Sequence, residues 1–378
     1  MTQSMLFIAG TRPEVIKVVP AVAAARKIHI EVTLLLTGQH KEMARQALID
    51  FDVAADAELD VMRAGASLAA LTTRLIQEID AYYSAHPPAV VVVQGDTSSA
   101  AIAGLIAFYH GIPVAHIEAG LRSRDNRHPF PEEVNRKIVS TYAALNFAPT
   151  LLARHNLLTE QVPADTIFVT GNTVVDAVEM MKQKLPPMPS DGVRRILVTT
   201  HRRESWGEDI ANICHAVHAI AERYPDVRVL LPVHRNPVVA NPVRAILAGH
   251  PRVTLTEPLD YLDLQKALSE SYFTLTDSGG IQEEAPSYGV PALVLRRVTE
   301  RPEAVNAGLA KVVGTDRDAI VDACRKLLDD PAAYRRMARA ANPFGDGHAG
   351  RRIAAALKRF VEGRVPVFDG VDEFQGVD

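Results

Sequence analysis

The feature that most limits the fold of this chain is a repeated alternation of short apolar runs with amphipathic stretches. Met5–Ala9, Val32–Thr37, Ala89–Gln94, Pro113–Ile117, Ala144–Ala148 and Ile167–Thr170 are rich in Val, Ile and Leu and lack polar residues at every second position. A strand with one wet face alternates; one buried on both faces does not, and such strands belong to parallel sheets covered by crossover helices. The stretches between them fit helices. Ser67–Tyr83 places Leu68, Leu71, Leu75 and Ile79 at three- and four-residue spacing, with Ser67 suited to cap it. Leu185–Gly192 (LPPMPSDG) breaks the rhythm and reads as a linker. Beyond it, Arg195–Thr200, Val227–Pro232, Val253–Thr256, Tyr272–Thr276 and Ala292–Leu295 read as strands, and Asp209–Arg223 and Glu283–Tyr288 as helical stretches. The expected class is α/β, with two Rossmann-like domains facing a cleft, residues 1–185 and 193–349. A last helix near Gly350–Glu362 is expected to pack back on the first domain, and the polar tail from Arg364 to be loosely held.

Composition narrows the partners. Forty-one Lys and Arg against 45 Asp and Glu give a net charge of −4, which argues against nucleic acid, because binders of a phosphate backbone carry a basic excess. Cys214 and Cys324 are too few for a disulfide framework. No apolar stretch approaches the ~18 residues that cross a bilayer, and the start lacks a basic segment and a long apolar run, so no signal peptide is read there. A cytoplasmic enzyme with no membrane partner is expected.

In open parallel sheets, ligands bind beyond the carboxyl ends of the strands. Here those ends carry Gly10–Glu14 (GTRPE), Gly95-Asp96-Thr97, Glu118-Ala119-Gly120, His201-Arg202-Arg203-Glu204, His234 and Asp277-Ser278-Gly279-Gly280. Ser278, Gly279 and Gly280 join a strand to a helical segment, a place where backbone N–H groups receive a phosphate, although short SGG sequences also serve as plain turns. Thr11 and Glu14 fit a capping box, which leaves Arg12 free to offer a bidentate guanidinium to a diphosphate. Lys17, one turn on, reads as a ligand cation or a solvated lysine. Arg301 reads as a second cation or a surface partner of Glu300 or Glu303. Asp96 could cap the following helix, and Glu132 and Glu133 could merely compensate a helix dipole. Glu118 has no helix to cap. Carboxylates gathered beside His201 would provide both an acid and a base. His110, His116 and Glu118 match no metal-binding spacing, so no metal is expected. Cys214 and Cys324 sit among apolar neighbours and read as core. No GxGxxG opens the first βα unit and no GxxxxGKS or GxSxG pattern is present, which leaves a phosphorylated molecule such as a nucleotide sugar as the expected ligand.

Read together, GTRPE, QGDT at Gln94–Thr97, HIEAGLR at His116–Arg122, PFPEEVNR at Pro129–Arg136, TGNTVVDA at Thr170–Ala177, HRRES at His201–Ser205, PVHRNP at Pro232–Pro237, the stretch Leu275–Pro291, TERPEAV at Thr299–Val305 and NPFGDG at Asn342–Gly347 resemble the bacterial non-hydrolysing UDP-N-acetylglucosamine 2-epimerases, over nearly the whole chain. The resemblance implies a glycosyltransferase-B-like fold, a homodimer, no redox cofactor, and interconversion of UDP-N-acetylglucosamine and UDP-N-acetylmannosamine through elimination of UDP and its re-addition. It implies Asp96, Glu118, Glu132 and His201 as the acid/base set and Arg12, Ser278, Gly279 and Gly280 around the diphosphate. Glu284 would hold the ribose, with Lys17, Arg301 and His234 as further contacts of the substrate. Two alternatives stay open: an epimerase or hydrolysing relative acting on another UDP-2-acetamido sugar, and a retaining UDP-sugar glycosyltransferase. Ser123–His128 (SRDNRH) and Arg297-Val298 depart from the family pattern, which bears on the exact sugar. Gly65-Ala66 stands where an Arg-Gln pair lines the family's activator site, so activation by substrate is expected to be weak or absent.

Overall fold

The structure, a computed structural model, describes residues 4–376 apart from 64, 203–205 and 340. The chain divides into two compact units, one comprising the residues up to Met180 with Phe344–Gly376, the other Met181–Pro343.

Unit 1 is built on seven strands: β1 (Met5–Ala9), β2 (Val32–Leu36), β3 (Ala57–Glu58), β4 (Val90–Gln94), β5 (Val114–Ile117), β6 (Leu145–Ala148) and β7 (Ile167–Val169). Their order is β3-β2-β1-β4-β5-β6-β7, with every pairing parallel. The helices are α1 (Arg12–Lys27), α2 (Lys41–Asp50), α3 (Leu68–Ala85), α4 (Ser98–Tyr109), α5 (Glu132–Tyr142), α6 (Leu151–Thr159) and α7 (Thr173–Lys182), the last of which runs across the division. Leu6, Ile8, Val91 and Val93 meet Leu71, Leu75, Ile79 and Ala103 in a core beneath the helices. The Ser67 hydroxyl accepts from Ala70 N at 3.2 Å, as its position predicts.

Unit 2 repeats the plan with β8 (Arg194–Thr199), β9 (Val227–Pro232), β10 (Val253–Thr256), β11 (Ser271–Thr276), β12 (Ala292–Val294) and β13 (Ala310–Val312), ordered β10-β9-β8-β11-β12-β13 and parallel throughout. Its helices are α8 (Glu208–Arg223), α9 (Pro237–Leu247), α10 (Tyr261–Ser269), α11 (Gly279–Glu284), α12 (Pro302–Asn306), α13 (Arg317–Asp329) and α14 (Pro331–Met337). Cys214 and Cys324 are buried in its core, and burial pushes each thiol up to about 12. The helix expected over Glu283–Tyr288 is instead the end of α11 followed by a 3-10 turn, closed by Gly289 in the left-handed region.

Both sheets reverse their strand order between the first strand and the fourth, β1/β4 and β8/β11. At such a point the flanking βα loops diverge to opposite faces and leave a crevice at the strand ends.

α15 (Ala349–Val361) lies along α1, where Gly350 meets the Pro20 backbone so closely that a Cβ would stand 2.7 Å from the carbonyl oxygen. The tail is tied down, contrary to its expected looseness. Phe374 N donates to Val169 O at 2.9 Å and covers the edge strand β7, Phe368 stacks on Phe168, and Asp372 accepts from the buried Arg352 at 3.0 Å. A tail that caps an exposed strand edge satisfies its own polar groups and those of the strand.

Candidate active site

In unit 1 the switch point brings together residues far apart in sequence. Glu118 follows β5 with φ of 65°, a conformation that non-glycine residues seldom hold. Gln94 Nε2 donates to its Oε2 at 2.5 Å and Lys17 Nζ at 2.7 Å, the Lys17 and Glu118 side chains being 12% and 8% exposed. Lys17 is therefore not a solvated surface lysine; its charge is committed to orienting Glu118.

Asp96 follows β4 on the neighbouring strand. The Arg136 guanidinium grips its carboxylate, Nε at 3.1 Å and Nη2 closer still, while Asn135 Nδ2 donates to its backbone carbonyl at 2.9 Å. These two α5 residues dock the start of that helix on the Asp96 loop. Glu132, three and four residues before them, shares their helical face and heads the helix half-buried. Glu133 is structural: fully buried, it accepts from Ser123 N at 2.9 Å, Arg124 N at 3.0 Å and Arg136 Nη1 at 3.1 Å, and so anchors the SRDNRH stretch. His116 lies behind Asp96 and donates from Nε2 to Gly95 O at 2.7 Å, and burial lowers its pKa to about 4, so it is neutral at pH 7. His110 pairs with Asp80 at 2.7 Å on the surface side, so the two histidines weighed as metal ligands serve separate partners. Arg12 opens α1 at the end of β1, half-buried.

In unit 2, His201 follows β8 and Asp277 follows β11, the two strands that pair across the switch point. The Asp277 carboxylate is fully buried and accepts from His201 N at 2.9 Å and Arg202 N at 2.9 Å, while the His201 Nδ1 stands 3.0 Å from it. Burial opposes ionisation of Asp277, yet these donors hold its pKa below the ordinary value. A charged Asp277 fixes the proton of a neutral His201 on Nδ1 and turns Nε2 outward. Arg203, Glu204 and Ser205, the rest of the HRRES stretch, lie outside the described residues.

Gly279 and Gly280 open α11 after Ser278, whose hydroxyl accepts from Ile281 N at 3.5 Å. Neither glycine has a positive φ, and a Cβ on them would meet nothing nearer than 3.6 and 3.7 Å. Their own fold does not require glycine, so the space beside them suits a ligand. The Arg301 and Arg202 guanidinium groups stand over Gly279, 3.6 and 3.9 Å from that Cβ position, and the buried Arg202 Nε has no hydrogen-bond partner among the described residues. Arg301 is held by Glu283 through its Nε. Glu284 is aimed beside Gly280 by Gln265, whose Nε2 donates to it at 2.6 Å, and Gln265 is held in turn by Tyr288 at 3.0 Å. His234 follows β9; its Nδ1 accepts from Asn236 N at 3.1 Å, which leaves Nε2 as the donor of the neutral ring.

The sequence assigns no role to Gln94 or Arg136 and marks Arg202 and Asp277 only as strand-end residues. All four stand in the quoted motifs, within two residues or one helical turn of candidate site residues, and that adjacency was the available signal.

Known proteins resemble this chain in sequence and in fold. The profile of a family described as UDP-N-acetylglucosamine 2-epimerase matches residues 22–358. The UDP-N-acetylglucosamine 2-epimerase of Yersinia pestis is 45% identical in an alignment of 368 residues that covers 94% of this chain and 98% of that protein. The solved UDP-GlcNAc 2-epimerase of Neisseria meningitidis, bound to UDP-GlcNAc, aligns with a TM-score of 0.89 at 41% identity, over 94% of this chain and 100% of that one. A glycosyltransferase from Streptomyces nogalater, 18% identical with a TM-score of 0.61 over 96% of this chain and 99% of that one, shares the fold alone. The glycosyltransferase-B-like α/β class expected from the sequence therefore holds, and the chain belongs to the UDP-N-acetylglucosamine 2-epimerase family.

Proposed function

We propose that this chain is a non-hydrolysing UDP-N-acetylglucosamine 2-epimerase that interconverts UDP-N-acetylglucosamine and UDP-N-acetylmannosamine. The observation that carries the reading is the set of carboxylates at the switch point of unit 1. Asp96 and Glu118 end neighbouring strands, each oriented by its own cation, with Glu132 docked beside Asp96 through Asn135 and Arg136. The C2 proton is weakly acidic, so a positioned carboxylate removes it while the C1–O bond to UDP breaks and a C1=C2 double bond forms. A second acid returns a proton to the other face of C2 as a UDP oxygen rebonds to C1. Asp96, Glu118, Glu132 and His201 divide these tasks. Negative charge grows on the departing diphosphate, and Arg202, Arg301, Arg12 and the N–H groups at Ser278–Gly280 are the groups suited to stabilise it. Glu284 takes the ribose hydroxyls, His234 supplies a further donor to the UDP moiety, and Lys17 acts through Glu118.

The reading includes a homodimer and a cytoplasmic setting. α4 packs between α3 and α5, and these three helices expose Ile76, Phe108, Tyr109 and Ile138, apolar side chains suited to contact with a second copy. Cys214 and Cys324 are unpaired, and no described helix is long and apolar enough to cross a membrane. Rate is expected to depend hyperbolically on substrate, because Gly65 and Ala66 offer no charged group to a second substrate molecule.

The test is incubation with UDP-N-acetylglucosamine in heavy water, followed by proton and phosphorus NMR. Deuterium at C2 with UDP-N-acetylmannosamine and no net UDP is the expected result. Free UDP with N-acetylmannosamine identifies a hydrolysing enzyme, and loss of UDP without C2 exchange identifies glycosyl transfer; either overturns the proposal.

A further inference from the structure

The capping box explains only half of what Glu14 does. Its Oε2 accepts from Gly10 N at 2.9 Å, Thr11 N at 2.8 Å and Thr11 Oγ1 at 2.9 Å, all at the start of α1. In an ordinary capping box the other oxygen faces water. Here Oε1 accepts from Thr97 Oγ1 at 2.5 Å, in the loop after β4, and that hydroxyl also accepts from Ala100 N at 3.1 Å to cap α4. The residue is 1% exposed, and its pKa is pushed up to about 7 because burial outweighs all of these donors. A carboxylate kept out of water at that cost, between two helix starts, joins the two loops that flank the switch point. One loop carries Arg12, and the other carries Asp96 next to Thr97.

We propose that Glu14 is a positioning residue for the reaction: through Thr97 it holds the Asp96 loop in register with the Arg12 loop, so that Asp96 keeps its working geometry. Asp96 is already fixed by Arg136 and Asn135 from α5 and by His116 through Gly95. Glu14 supplies the remaining side, from β1. A loop held from α5 and β5 alone can still shift on its β1 side, and small misplacement of a reacting group costs rate far more than it costs binding. This inference rests on the acid/base role of Asp96 given above.

Thr97→Val keeps the volume, leaves the Glu14 bonds to α1 in place and cuts the brace. Thr97→Ser restores the hydroxyl. Asp316→Ala removes a cap of the same kind, an acceptor for Ala319 N at 2.9 Å, far from either loop in sequence and in the other unit. The expected result is a kcat for Thr97→Val at least about tenfold below wild type, with C2 deuterium exchange slowed equally. KM and UDP affinity by calorimetry stay within about twofold. Thr97→Ser returns most of the rate, and Asp316→Ala lowers only the melting temperature. If Thr97→Val keeps its kcat, or loses UDP affinity in proportion to rate, the positioning role is overturned. Wild-type protein that neither epimerises nor exchanges C2 would instead sink the epimerase reading, before any variant is compared.

Discussion

His201 shows how much of a side chain's chemistry depends on a neighbour 76 positions away, for it is Asp277 that accepts from its backbone and sets its ring. Replacing Asp277 with Asn keeps the shape but removes the charge that fixes the tautomer. We expect kcat to fall about 10–100-fold, with UDP affinity changed much less, because groups that orient a working histidine act mainly on rate. Steady-state kinetics beside UDP calorimetry checks this, and an unchanged kcat would show that the Asp277–His201 pair does not set the rate. The strained backbone of Glu118 belongs to the same scale, since a left-handed non-glycine costs about 1–3 kcal/mol and persists where the surroundings over-determine it. Lys17 and Gln94 are those surroundings.

At the scale of elements, two glycines make opposite predictions. At Gly350 an added methyl would press on the Pro20 carbonyl oxygen at 2.7 Å, where α15 lies against α1. Backbone cannot yield cheaply, so Gly350→Ala is expected to destabilise by about 1–3 kcal/mol, read as a lower melting temperature. Gly279→Ala places its methyl in ordinary van der Waals contact with two guanidinium groups, 3.6 Å from that of Arg301 and 3.9 Å from that of Arg202. Its melting temperature should stay near wild type while UDP binding weakens about tenfold or more, as the methyl takes the room a phosphate needs. Equal UDP affinity would remove Gly279 from the diphosphate site. The strands around these positions were readable within a residue or so at each end, because both-face burial writes a continuous apolar run. The edge strands β3 and β13, two and three residues long, were missed; pieces so short carry no period, and only pairing to β2 and β12 makes them strands.

Across the whole molecule, buried titratable groups set opposing pH trends. Glu14 and Asp176 are raised by burial to about 7 and about 6 from 4.5 and 3.8. The native state keeps their protons longer than the unfolded chain does, so their contribution to stability is full below about pH 4 and is lost as pH rises through 6 and 7. His116, lowered from 6.5 to about 4, works the other way: its contribution is present above 6.5 and is lost as pH falls through that window. At about 1.4 kcal/mol per pH unit, His116 accounts for about 3 kcal/mol of acid sensitivity. A His116→Asn variant should start less stable yet lose less of its melting temperature between pH 6.5 and 4.5 than wild type does; parallel losses would show that His116 is not the titrating group. Assembly is tested at the same scale. Light scattering should give twice the 41.1 kDa of one chain, and Phe108→Glu with Ile138→Lys should give one. A double variant that remains a dimer would place the interface elsewhere.

Local pattern alone determined the α/β class, most of the strands, and the placing of Asp96, Glu118, His201 and Ser278–Gly280 at strand ends. It could do so because apolar runs and strand-end loops are properties of neighbouring residues, and a parallel sheet confines its ligands to one end. Only the tertiary structure decided what each polar group does there. Lys17 and Glu118 are 101 positions apart, Glu14 and Thr97 83, and Arg136 and Asp96 40. No period or propensity spans such gaps. Whether Glu14 is a surface cap or a buried brace, whether Glu133 is an acid or an anchor, and whether the tail hangs free or closes β7 depended on which loops the two strand reversals brought side by side.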